Sequence, residues 1–244
     1  MKKLILALLM ILPFSAYSAS PTSFVSGPSV SSGVTSFEVR AGYSWDDESA
    51  SLDERFQLRE HIDHGFNDLY AMRIIAAQDD RQNDDLDQDA FTLENRFQIF
   101  NSKDHGWDGG FRLSYSANHG RADSVGLKLI GQKKWTNDIT SRHNLNFGHQ
   151  VGGGSADGIS FGLSHQIMHK TDISWLKKSS AGIEMFNDFG NLRTQSGYSN
   201  QDHQMGPVFK GSFDNGLSFE TGYRTGISRA SRDHLVKLGI AKSF

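Results

Sequence analysis

The chain of 244 residues contains no cysteine and only 4 prolines. Without thiols there is no disulfide framework, no thiolate metal site and no cysteine nucleophile. A basic excess is missing too: the formal charge is −3, which gives no footing to a nucleic-acid binder. No run approaches the roughly 18 apolar residues that a membrane helix requires. The ten histidines show no metal-ligand spacing. The acidic stretch 78–89 lacks the glycine turn and closing glutamate of a calcium loop. No metal and no cofactor is therefore expected. What the chain does have is 25 glycines and 17 phenylalanines. A mean hydropathy of −0.47 suggests a soluble protein, and the residue pattern contradicts that impression.

The first residues form a targeting segment. Met1-Lys2-Lys3 is a short basic start, Leu4 to Phe14 is apolar, and Ser15-Ala16-Tyr17-Ser18-Ala19 supplies small residues for a peptidase. The apolar run is too short to cross a bilayer, so 1–19 reads as a cleaved secretory signal. Its loss removes Lys2 and Lys3 and no acid, taking the formal charge from −3 to −5. Residues 20–34 then form a short N-terminal extension, and 35–244 the folded body.

From Thr35 onward the pattern is alternation, the period of a strand with one apolar face. Phe37, Val39, Ala41, Tyr43 and Trp45 alternate with Ser36, Glu38, Arg40, Gly42 and Ser44. Similar windows recur to the C-terminus. They predict about twelve strands, with ten as the fallback should the one around Pro207 fail. Compact turn signals (63–65, 103–106, 136–138, 170–172, 214–216) separate alternate strand pairs. The intervening connections, such as 78–89, 152–158 and 191–200, are longer.

Short turns at one end and longer loops at the other belong to a transmembrane antiparallel β-barrel. A soluble barrel also alternates, but it hides its apolar face inside. Here the second face carries too many charges to form a core. All four tryptophans, at 45, 107, 135 and 175, share the parity of the apolar face and fall at strand ends, as interfacial girdles do.

The last strand ends on Phe244, with Ile240, Leu238 and Val236 alternating behind it. This resembles the closing strand of Gram-negative outer-membrane β-barrels. The resemblance implies recognition of that strand by the outer-membrane assembly machinery; Lys242 departs from the usual apolar residue. In size the chain resembles the small twelve-stranded porin-like barrels, with membrane lipids around it and small solutes inside.

The parity of the polar face assigns Arg40, Arg55, Arg59, Arg73, Arg96, Arg112, Lys128, Arg224 and Lys237 to the lumen. Glu38, Glu94, Glu184, Asp188 and Glu220 accompany them. The bases crowd the early strands and several acids the later ones, which predicts a field across the lumen and a preference for anionic solutes. In a filled barrel the same arginines would instead bridge to Glu184 and Glu220.

The reading is thus a small diffusion channel and no enzyme. A non-conducting structural or adhesive barrel is the alternative, and a lipase or protease the third. For the lipase, Ser164 and His165 are adjacent and so point to opposite faces. For the protease, Asp85, Asp87, Asp89, Asp202 and His203 lack a matching spacing.

Overall fold

The computed structural model describes residues 20–46, 54–81 and 86–244. The segment read as a signal and the middle of the acidic stretch 78–89 lie outside them. Twelve antiparallel strands close on one another in chain order, β1 (Thr35–Trp45) pairing with both β2 (Arg55–Gly65) and β12 (His234–Ser243). Between them run β3 (Tyr70–Arg81), β4 (Asp87–Phe100), β5 (Asp108–Asn118), β6 (Asp123–Lys134), β7 (Ile139–Val151), β8 (Ser160–Thr171), β9 (Lys178–Asn191), β10 (Asp202–Ser212) and β11 (Leu217–Gly226). Closure removes every free edge, the condition for backbone placed in lipid. Among the described residues no helix is long and apolar enough to span a membrane, so the crossing is made by strands.

The parity of each strand decides which side chains face out. Ile62, Ile74, Phe91, Leu113, Ile167, Ile183 and Ile240 are exposed, Ile167 at 58%. On the same strands Gln57, His61, Arg73, Glu94, Arg112, Gln166, Glu184 and Lys237 are buried. In water this arrangement would be inside out; against hydrocarbon it is the stable one.

All five compact turns sit at the end that holds both Thr35 and Phe244. One of them carries α1 (Ser102–His105), a single turn capped by the Asn101 side chain and by Gly106 at φ 69°. The connection read as 78–89 is shorter than its acidic composition suggests, because β3 runs on to Arg81 and β4 starts at Asp87.

Proline does not remove β10. Pro207 keeps its register with Ile183 of β9, while the recorded pairing to β11 skips Gly206 and Pro207. The missing N–H is thus confined to one side of the strand.

Candidate functional site in the barrel lumen

The lumen is not empty. Residues 20–34 thread through it from the far end to the end that holds Thr35 and Phe244, joining the sheet only at Gly33 and Val34. At the far end Ser20 and Thr22 hydroxyls donate to Gln57 Oε1, and Arg224 Nη2 donates to the Ser20 carbonyl at 3.2 Å. Midway, Asn144 holds Ser26 from both sides, accepting its N–H at 2.8 Å and donating to its carbonyl at 3.0 Å. Near the other end Gln98 accepts the Val30 N–H at 3.0 Å, and Gly33 donates to the Gly65 carbonyl at 2.7 Å.

Thr22, Phe24 and Val25 are buried by this passage, Thr22 completely. Phe24 lies between two cations, with Arg40 Cζ 4.4 Å and Lys237 Nζ 4.2 Å from its ring centre.

The inner wall makes room for the thread with glycine. A Cβ on Gly42 would stand 2.5 Å from the Pro21 carbonyl, and one on Gly239 would enter the Phe24 ring. One on Gly65 would meet the Ser31 carbonyl oxygen. These glycines are needed for close approach, not for their dihedral freedom.

Every lumen position named from the sequence is half-buried or buried, and the structure joins most of them in ion pairs. Arg40 pairs with Glu38 at 2.8 Å, and Arg112 with Glu94 at 2.9 Å. Lys237 Nζ lies 2.7 Å from the Glu184 carboxylate and 3.0 Å from Glu220, with Arg224 Nε 3.8 Å from Glu184.

The arginines of the early strands, however, do not reach across to Glu184 and Glu220. Arg73 and Arg96 share Asp63, at 2.6 and 2.5 Å, and Arg55 pairs with Asp79 at 2.6 Å. Asp63 and Asp79 belong to the inward parity of β2 and β3, so the signal for them was in the alternation. Their presence cancels much of the field expected between early and late strands, because partners on adjacent strands are closer than any across the lumen. Lys210, 2.6 Å from Glu220, is a further inward base.

Three inward cations have no carboxylate within ion-pair distance among the described residues: Arg59, Lys128 and Arg142. Lys128 reaches only the Ser26 hydroxyl, at 3.4 Å. Arg142 Nε donates to Gln132 Oε1 at 2.6 Å, while Arg59 Nε is buried without a hydrogen-bond partner.

On the outer face a polar row replaces the pairing excluded for Ser164 and His165. Ser141 Oγ is 3.2 Å from His143 Nε2, whose Nδ1 is 2.9 Å from His165 Nδ1. Ser141 is only 2% exposed and its Oγ accepts the Trp135 indole N–H at 2.9 Å. The hydroxyl is therefore covered from the lipid side, and the row anchors Trp135 at the barrel rim. Among the described residues no cluster of three metal-ligating side chains occurs.

Neither a family model nor a curated protein matches the chain. Solved structures do. The NanC porin is similar at TM-score 0.58 and 10% identity, over 84% of this chain and 98% of that one. The KdgM porin gives TM-score 0.58 and 12% identity, over 86% and 99%. An outer-membrane channel from Pseudomonas putida gives 0.57 and 10%, over 88% and 97%. At such identities the likeness is one of fold. The chain is a twelve-stranded, multi-pass β-barrel of the kind built by small outer-membrane porins.

Proposed function

We propose that the protein is a small diffusion channel of the outer membrane whose lumen favours anionic solutes. The observation that carries this reading is the excess of inward cations: among the described residues Arg59, Lys128 and Arg142 lack carboxylate partners, while Glu38, Glu94, Glu184 and Glu220 are engaged by bases and Asp188 alone of the acids named from the sequence is held by a backbone N–H instead. Guanidinium and ammonium groups left without partners on a water-filled wall concentrate anions and repel cations. The paired residues Arg40, Arg73, Arg96 and Arg112 add to that wall, with Glu38 and Glu94 moderating the local potential.

The KdgM porin is known in complex with disordered oligogalacturonate, an anionic chain, which supports this solute class. In this reading lipid surrounds the exposed apolar band, the end that holds Thr35 and Phe244 faces the periplasm, and β12 with Phe244 is presented to the assembly machinery. Phe244 is well placed for that, being exposed, with its N–H donated to the Thr35 carbonyl at 2.9 Å.

The occupied lumen favours a second reading, a non-conducting structural barrel. Liposome swelling separates the two, using glucuronate, glucose and glucosamine as anionic, neutral and cationic probes of similar size. A channel of the proposed kind admits glucuronate faster than glucosamine. Faster entry of glucosamine would overturn the solute preference. Equal impermeability to all three, with residues 20–32 deleted, would establish the structural barrel.

A further inference from the structure

We propose that residues 20–34 are a removable internal gate, which closes the lumen when seated and opens it by withdrawing toward the end that holds Thr35 and Phe244. The proposal rests on the channel reading above.

The barrel does not need the segment. β1 closes directly on β12 over the register Ser36↔Ser243 to Trp45↔His234. The segment joins the backbone ladder only at its foot, where Gly33 and Val34 exchange hydrogen bonds with Gly65. Everything above that foot is held by side chains of the wall.

Arg96, Arg112, Arg224 and Lys237 donate to the carbonyls of Ser29, Gly27, Ser20 and Ser23, at 3.3, 3.2, 3.2 and 3.5 Å. These are the long end of the hydrogen-bond range. Each of those cations also keeps a carboxylate of the wall, respectively Asp63, Glu94, Glu184, and Glu184 with Glu220. Withdrawal therefore leaves these four cations paired and spares the penalty that would otherwise lock a plug in place; Lys128 alone loses its one contact, the Ser26 hydroxyl, and passes to the entering water. Along the wall, water entering behind the segment replaces neutral donors and acceptors.

SPTSFVSGPSVSSGV contains no charged side chain and is mostly Ser, Pro, Gly and Thr, a composition that stays solvated and unstructured outside a fold. Phe24 is its one aromatic, and it is seated by two cations against Gly239, which leaves the ring a socket. At the foot Gly33 has φ 71°, a backbone state that glycine adopts without strain and that can serve as the hinge. With cleavage before Ser20, as the signal reading has it, the tip is a chain end, and withdrawal breaks no connection.

An anion seated between Lys128, Arg112 and Arg96 takes the donors that Ser26, Gly27 and Ser29 now occupy. Solute and gate thus compete for one track.

The chain has no cysteine, so a lock can be engineered cleanly. A Cβ at Gly42 falls 2.7 Å from Pro21 Cβ, and a shift of about 1 Å gives disulfide spacing. Planar-bilayer conductance is recorded for the mature protein, for a variant lacking residues 20–32, and for Pro21→Cys/Gly42→Cys oxidised and then reduced. The deletion variant is first shown to be folded by its faster migration on unheated gels. The expected result is a several-fold rise in open-state current on deletion, closure on oxidation, and a return of current on reduction.

Equal current from the mature and deleted proteins, with no effect of oxidation, would overturn the gate and leave the channel standing. A folded deletion variant that passes no current would overturn the channel reading itself. Should the deletion fail to fold, Phe24→Ser/Val25→Ser takes its place. An unchanged open probability in that variant would count against the gate.

Discussion

Lys237 is the most exacting position for testing the electrostatics of the interior. Its side chain and that of Glu184 are both 0% exposed, 2.7 Å apart, and Glu220 lies on its other side at 3.0 Å. Lys237→Met keeps the length of the stem and removes the charge. Deleting one partner of a buried pair costs about 3–5 kcal/mol, because the other charge is left in a poorly solvated place. Here Glu184 retains Arg224 at 3.8 Å and Glu220 retains Lys210 at 2.6 Å, which places the expected loss at the low end, about 3 kcal/mol. Adding Glu184→Gln removes the stranded carboxylate but also the one beside Arg224, so the double loss should fall short of the sum of the single losses without returning to the parent's stability. Urea unfolding of the barrel in phospholipid vesicles, followed by tryptophan fluorescence, measures both. A single variant within about 0.5 kcal/mol of the parent would refute the reasoning, since that is the range of an ordinary surface change. So would a double variant whose loss equals the sum of the single losses.

Further outcomes follow from the topology and the outer face. Epitope tags inserted at 194–196 should be labelled on intact cells and tags at 214–216 should not; labelling of both would break the assignment of β10 and β11. The protein should fractionate with outer membrane and migrate faster unheated than boiled, and deletion of Phe244 should slow its assembly; recovery from the soluble periplasm would contradict the membrane reading. Ser141 should stay unlabelled by a fluorophosphonate serine probe, because Trp135 covers it; labelling lost in Ser141→Ala would reveal a nucleophile.

The barrel was legible because lipid imposes a strict rule on each strand. Outward positions such as Ile62, Ile74 and Ile183 must be apolar, and the inward neighbours are free to carry charge. The period of two therefore survives in the letters even across Pro207, whose lost N–H affects pairing to one neighbour only. Inward pairing was less legible. Parity alone assigns Asp63 and Asp79 to the lumen, but which arginine each meets depends on the stagger between strands. Least legible was the extension 20–34. It has no period, since nothing in it repeats against a sheet. Its binding groups, Gln57, Gln98 and Asn144, are single amides on three different strands. The glycines that admit it, Gly42, Gly65 and Gly239, look like the other glycines of the chain until the thread is seen passing over them.

The central claim is that the inward cations set what passes. The reversal potential of single channels in a KCl gradient tests it most directly, on the barrel lacking residues 20–32 and on the same barrel carrying Lys128→Met and Arg142→Gln. The account predicts a potential of the sign that marks chloride preference, moving toward zero when those two charges are removed. A potassium-selective channel, or a chloride preference untouched by the substitutions, would contradict it.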